Sequence, residues 1–500
     1  MLPDNYENLG ESVVATNLFG CNILEAITTK NYWDVGNEYK PLMHMWYVGV
    51  VMQFYLLYPI LFLLAKLDKK TPERTLLIFI SSLAVISLLI YFGTTDTALR
   101  FYYLPSRFFE FAAGGIVALT WNSKAENPVF KKWFSYICYG LILLLFVLNK
   151  EIIPANLKLV LVVALSVVLV MSNTDLENKI TGNAILAKMG AASFSIFVWH
   201  QVFLAFYRYI IGKHFTFGTY CLYLSVVGLV SYLTYQLIEQ KTSGWLRDKK
   251  SKMVFYMTVA ALWLLLTGAG CLIYLNAGVV RDIPELYVST QNKHRGMHAE
   301  YCDRGYQYDK PFASVDKLHW LVIGNSFGRD FVNVIMESEI ADMVEISYTT
   351  DKDFKQGKIA SRFANADRVF ISTSGLNEVL VTEVEVQCQA NGLSPEKLTI
   401  VGEKNFGESN GPVYNRRYRS DYFNQYVDVA DYTRYVEQNN YFAKLYGNRF
   451  LDLMTMVSDG RGKVQVFSPD NHYISADCRH LSKGGAIFFA DKIDWNKYIN

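Results

Sequence analysis

The strongest constraint in this 500-residue chain is the alternation of long apolar runs with short basic loops across its first 279 residues. The runs fall at about Trp46–Leu67, Thr75–Phe92, Ser106–Trp121, Trp133–Leu148, Leu157–Met171, Ala192–Ile211, Phe217–Ile238 and Val254–Val279. Most approach the roughly 20 residues that a helix needs to cross a bilayer, and the third and fifth are short. Lys66, Lys69, Lys70 and Arg74 follow the first run; Lys124, Lys131 and Lys132 the third; Lys179 and Lys188 the fifth; and Lys241, Arg247, Lys249, Lys250 and Lys252 the seventh. Between them the other loops carry little beyond Arg100, Lys150 and Lys213. Basic loops stay in the cytoplasm, so residues 1–43 and everything after Val279 are expected outside. Buried helices of a large soluble protein would not alternate in this way.

The polar residues inside this half are few and grouped. His44 and Trp46 stand before Gln53-Phe54-Tyr55-Leu56; Arg107 and Glu110 open the third run; Ser193, Ser195, Trp199 and His200 lie in the sixth. Ionisable groups at membrane depth are costly and commonly mark a pathway or a site. On physics alone, Arg107 and Glu110 could equally pair along one helix face, and His44 and His200 could sit at the wet interface.

Beyond Val279 the pattern changes to short β-branched runs at Leu321–Ile323, Val344–Tyr348, Arg368–Ser372, Leu398–Val401 and Phe450–Leu453. Helical candidates such as Asp431–Tyr446 and Gly485–Ile493 alternate with them, which favours a parallel sheet flanked by helices. Gly324-Asn325-Ser326 turns from the first of these strands into an amphipathic stretch, so the Ser326 hydroxyl sits at a strand-to-helix junction. Alone, such a turn is more often a helix cap than a nucleophile. Asp477 and His480, three residues apart on one loop, add a carboxylate able to hold an imidazole that draws a serine proton. Asn377, after the Arg368–Ser372 strand, falls where an amide can donate to an oxyanion.

The order Gly-x-Ser, Gly-x-Asn, Asp-x-x-His over roughly Asp282–Asn500 resembles the SGNH family of serine hydrolases and acyltransferases. The resemblance implies Ser326 as nucleophile, His480 as base, Asp477 as its orienting carboxylate, and Asn377 as an oxyanion donor beside the Ser326 N–H. The family's second-block glycine would be Gly357. Asn325 stands where the family has Asp.

In the first half, Leu-x-His-x-Trp with Gln-Phe-Tyr-Leu, then Arg-Phe-x-Glu, then Ser-x-Ser-x-x-x-Trp-His resemble the integral-membrane acyltransferases that O-acylate bacterial surface carbohydrates. Many members of that family carry an SGNH domain after the last helix. The resemblance implies an external loop over residues 1–43, a membrane domain over 44–279 and an SGNH-like α/β domain over 280–500. His44, Trp46, Gln53, Arg107, Glu110 and His200 are its membrane candidates. It further implies a bacterial inner-membrane O-acyltransferase that takes acetyl from cytoplasmic acetyl-CoA, binds no cofactor, and delivers the group to hydroxyls of an envelope polysaccharide or lipopolysaccharide through an extracytoplasmic serine domain. Two departures are Val51-Met52, where relatives carry Glu-Glu, and an N-terminus about three spans short of the expected eleven. The second departure admits a missing half, or a partner acyltransferase that this chain serves non-catalytically. A membrane-anchored carbohydrate esterase is the other reading.

The net charge of +2 and the absence of basic tracts interleaved with aromatics argue against nucleic acid. No His/Cys cluster has zinc spacing, so no metal is expected. Among Cys21, Cys138, Cys221, Cys271, Cys302, Cys388 and Cys478, a Cys302–Cys478 disulfide bracing the Asp477 loop is one expectation and unpaired thiols the other.

Overall fold

The computed structural model describes residues 1–28, 36–66, 70–120, 128–148, 152–172, 183–246, 249–279, 281–291, 297–355, 359–407 and 409–499. Each of the eight apolar runs is helical, from Trp46–Ala65 to Lys249–Leu275. Among the described residues, four helices are long and apolar enough to cross a membrane. Ala184–Ala191 and Ser193–Ile210, which meet at 62°, are together long and apolar enough to make a fifth if they form one broken span, while Trp133–Val147 and Ala155–Met171 are apolar but shorter. Leu56, Leu63, Leu89 and Leu265 are more than half exposed on these helices. In water each such leucine would forgo roughly 1.5–3 kcal/mol of burial, so the bundle surface is suited to hydrocarbon. The basic loop residues Lys69, Lys124, Lys150, Lys179 and Arg247 lie outside the described residues.

Residues 1–28 hold helices that the sequence polarity did not signal. Pro3–Asn17 and Cys21–Thr28 are helices, and the first runs along the Lys249–Leu275 helix. Gly10 and Gly270 face each other so closely that a Cβ on either would lie 2.9 Å from the other's carbonyl oxygen. Small residues permit that approach, and Trp263 Nε1 and Thr267 Oγ1 bond to Asn17 at 2.9 and 3.1 Å. Sequence polarity concealed the helix, because its polar residues find partners in neighbouring elements.

The C-terminal part is an α/β unit. Its five-stranded sheet runs β2 (Val344–Thr349), β1 (Leu318–Ile323), β3 (Arg368–Ser372), β4 (Leu398–Val401) and β6 (Phe450–Leu451), all parallel. A two-stranded antiparallel ribbon, β5 (Tyr426–Asp428) with β7 (Lys463–Gln465), stands apart. Side chains alternate across β1: Trp320 and Val322 enter one core with Phe331, Phe370 and Trp495, and Leu321 and Ile323 enter the other with Val369, Ile371 and Val381. Burial on both faces is why the strands read as nearly unbroken apolar runs.

This unit sits on one end of the helical bundle. Leu2 shares an apolar cluster with Ile283, Val413, Tyr422 and Phe467. Arg281 Nη2 donates to Met1 O at 2.7 Å, Arg416 Nη2 to Ile211 O at 2.8 Å, and Asn5 Nδ2 to Tyr209 OH at 2.7 Å. Arg208 Nη1 donates to Glu38 O at 2.7 Å, and Lys213 pairs with Glu38 at 3.3 Å. Residues 36–45, 208–216, 276–279 and 281–283 therefore meet at the end that carries the α/β unit.

Candidate active site

Ser326 is the first residue of the helix Ser326–Met336 at the C-terminal end of β1. Asn325 caps that helix, its Oδ1 accepting from Phe327 N at 3.1 Å. The same oxygen accepts from Ser374 N at 3.2 Å, while Asn325 Nδ2 donates to Ser374 Oγ at 2.7 Å. This asparagine thus joins the serine turn to the loop after β3. A Cβ on Gly324 would lie 1.8 Å from Ser372 O, so only glycine lets β1 and β3 approach here. Tyr348 OH closes the turn from the other side, donating to Gly324 O at 2.9 Å.

Asp477 and His480 form the expected pair. His480 Nδ1 lies 2.5 Å from Asp477 Oδ2, and Asp477 Oδ1 accepts from the Arg479 and His480 backbone N–H groups, each at 2.8 Å. The carboxylate therefore fixes both the loop and the ring, leaving Nε2 as the nitrogen that can take a proton. The His480 ring is fully buried and meets the ring of Phe327, the residue after Ser326, edge-on at 6.3 Å.

What holds the two segments together escaped the sequence reading. Lys404 Nζ, on the loop after β4, contacts Asp330 Oδ2 at 2.5 Å and Arg479 O at 2.9 Å, and lies 3.8 Å from the Phe327 ring centroid. Both ionic side chains are at most 1% exposed. One ammonium thus joins the serine helix to the His480 loop, and Phe406 N adds a 2.7 Å bond to Cys478 O. Lysine and aspartate 74 residues apart give no local signal.

Asn377 caps the helix Glu378–Ala390: its Oδ1 accepts from Leu380 N at 3.0 Å, and its Nδ2 donates to Gly375 O at 3.0 Å. The neighbouring Gly375 and Leu376 N–H groups bond to the buried Glu403 carboxylate at 2.5 and 2.9 Å. Gly357 lies outside the described residues.

The anticipated Cys302–Cys478 disulfide does not form. Cys302 Sγ instead donates to Leu481 O at 3.4 Å, steadying the His480 loop by a hydrogen bond. Burial pushes the Cys302 thiol well above its ordinary range, and Asp330 and Asp477 reinforce the shift.

In the bundle, His44 and His200 come together with ring centroids 5.1 Å apart, His44 Nε2 bonding to Val198 O at 3.1 Å and His200 Nδ1 to Phe197 O at 2.7 Å. A carbonyl only accepts, so His44 carries its proton on Nε2; its Nδ1 is a buried lone pair with no hydrogen-bond partner among the described residues. Arg107 bonds to Glu110 at 2.6 Å and to Phe101 O at 2.8 Å, with its guanidinium 5.7 Å from the Trp46 ring centroid. Gln53 meets Asn22, its Nε2 donating to Asn22 Oδ1 at 2.8 Å. The six membrane candidates therefore fall into two clusters, His44/His200 and Trp46/Arg107/Glu110, with Gln53 held by the second N-terminal helix.

Residues 6–236, which span both clusters, match the family model described as an acyltransferase domain. The first half of the chain is thus similar to that acyltransferase family. A Staphylococcus aureus (strain COL) protein named "Putative O-acetyltransferase" is 24% identical over 255 residues, covering 47% of this chain and 42% of the relative. The O-acetyltransferase OatA of S. aureus strain MRSA252 is 25% identical over 268 residues, covering 47% of this chain and 44% of the relative. The matched stretch thus spans less than half the length of these relatives, and no solved structure matches the chain. The family match and the apolar helices make this a multi-pass membrane protein.

Proposed function

We propose that the chain is an O-acyltransferase of the bacterial envelope, an O-acetyltransferase foremost, and that Ser326 of an SGNH-like domain hands the acyl group to a carbohydrate hydroxyl. The observation that carries this reading is the junction of the Ser326 helix and the Asp477–His480 loop through Lys404, above a membrane domain of acyltransferase type. His480 Nε2 takes the Ser326 proton as Oγ attacks the acyl carbonyl, and the donor's leaving group departs with that proton. A sugar hydroxyl then attacks the acyl-serine carbonyl, giving its proton to His480, which returns it to Ser326 Oγ as the carbohydrate ester leaves. The Ser326 N–H at the helix start, joined by Asn377 Nδ2, bears the oxyanion in both steps.

In this reading the donor is acetyl-CoA on the cytoplasmic face, and His44 and His200 serve the outward passage. Their meeting inside the bundle and the lone pair on His44 Nδ1 support that role. The gathering of residues 36–45, 208–216, 276–279 and 281–283 at the end bearing the α/β unit supports an extracytoplasmic placement, because the basic loops are the other ones.

Inverted membrane vesicles given acetyl-CoA labelled in the acetyl group test the proposal, with Ser326→Ala alongside wild type. Label is expected in carbohydrate only with Ser326 present. Equal labelling by both would refute the serine role, and no label in either would favour an esterase or a partner of another acyltransferase.

A further inference from the structure

Between the helical bundle and the α/β unit lies a cleft of about 660 Å³ that the proposed chemistry leaves unused. Its bundle wall includes Tyr39, Arg208 and Lys213, and its opposite wall Arg416, Tyr426 and Asp428. The volume falls within the roughly 300–1,000 Å³ usual for ligand sites.

The charges in this cleft are poorly matched. Arg208 and Arg416 hydrogen-bond to the neutral carbonyls of Glu38 and Ile211, and neither meets a carboxylate among the described residues. Arg208 Nε, moreover, is buried with no hydrogen-bond partner among them. Asp428, the one acid in the lining, is 4.0 Å from Lys463 outside it. A guanidinium presents a planar fork suited to carboxylate and phosphate oxygens. Tyr426, about half exposed, adds a flat face of the kind on which sugar rings stack.

The cleft also backs onto the catalytic loop. Val427, in its lining, packs at Gly407, where a Cβ would lie 2.8 Å from Val427 Cγ2 and 3.4 Å from Cys478 Sγ. Cys478 sits between Asp477 and Arg479, and Asn410 Nδ2, beside the lining residue Ser409, donates to Ser475 O at 2.5 Å.

We infer that this cleft binds the acceptor as an acidic glycan, one whose sugars carry carboxylate or phosphate groups, and presents it to Ser326. The inference rests on the transferase reading for its purpose, but binding can be measured without turnover.

The full chain in phosphatidylcholine nanodiscs would be titrated with tetragalacturonate, and with maltotetraose as the neutral control. Wild type should bind the acidic tetramer at least tenfold more tightly. Arg416→Glu should weaken binding about five- to tenfold while Arg416→Lys keeps most of it, and Asp428→Asn should tighten it severalfold, a gain that misfolding cannot produce. Ser326→Ala should bind as wild type does, so a failed serine mechanism would leave this result standing. Equal affinity for the two tetramers, or indifference to both Arg416→Glu and Asp428→Asn, would overturn the inference. Loss of tetragalacturonate binding when phosphatidylglycerol replaces part of the lipid would assign the cleft to a lipid headgroup, and so also overturn it.

Discussion

Replacing Lys404 by Met removes the cation that joins the serine helix to the His480 loop while keeping a similar volume. Asp330 would then be a fully buried carboxylate with no counter-charge, and its Oδ1 already lacks a hydrogen-bond partner among the described residues. Breaking a buried pair from one side typically costs about 3–5 kcal/mol. The lost bond to Arg479 O contributes about 1 kcal/mol within that range. At 1.36 kcal/mol per tenfold, amide exchange in residues 326–336 and 478–486 should accelerate by roughly two to three and a half decades. The double variant Lys404→Met/Asp330→Leu leaves no buried charge and should return most of the protection, because well-packed apolar replacements of such pairs are often neutral or stabilising. Acyl transfer by the double variant should stay below wild type, since the Lys404 bond to Arg479 O that sets the position of the His480 loop is still missing. Hydrogen exchange read by mass spectrometry on the membrane-embedded chain measures the first two effects. Less than a fivefold change in the single variant, or a double variant as labile as the single, would refute the electrostatic argument.

Other outcomes follow from the same site. Asn377→Ala should cost about 1 kcal/mol of helix capping, and in transfer assays a hundredfold to a thousandfold if its amide also serves the oxyanion; a rate equal to wild type would confine the residue to capping. For Glu345, burial raises the carboxyl, but the Ser314 hydroxyl, the Ser314 and Ala313 N–H groups and His319 outweigh it and hold the group below its ordinary range. A depressed carboxyl stabilises the fold above its unfolded value and loses that contribution as pH falls through the folded one. Proteolysis near residues 310–319 should therefore separate Glu345→Gln from wild type at pH 7, and the two should converge once the pH falls below the lowered folded value of the group. Burial pushes Cys388 up to about 12 and Cys302 well above its ordinary range, so iodoacetamide at pH 8 should leave both unmodified until the α/β unit is unfolded. Modification of the folded chain at either thiol would contradict their burial.

The sheet was legible because parallel strands buried on both faces must be apolar throughout. The five expected runs coincide with β1, β2, β3, β4 and β6 to within a few residues. Asp477 and His480 were legible for a related reason: three residues on one loop suffice to bring a carboxylate to an imidazole, with no help from the rest of the chain. The Pro3–Asn17 helix was not legible, since its partner surface lies some 250 residues away and its polar side chains look solvated until that surface is present. The anticipated disulfide failed on similar grounds, because the position of Cys302 is set by tertiary packing that directs its thiol to Leu481 O.

By itself, the sequence determined local periodicity, loop charge and short-range motifs, and with them a helical membrane half, a parallel α/β half and the identity of the serine, histidine and aspartate candidates. Tertiary structure alone decided what joins them. Lys404 reaches Asp330 across 74 residues, Asn325 reaches Ser374 across 49, and Arg416 reaches Ile211 across 205. Such contacts depend on where folding brings distant segments, and their energy comes from burial and charge pairing that no local window of sequence contains.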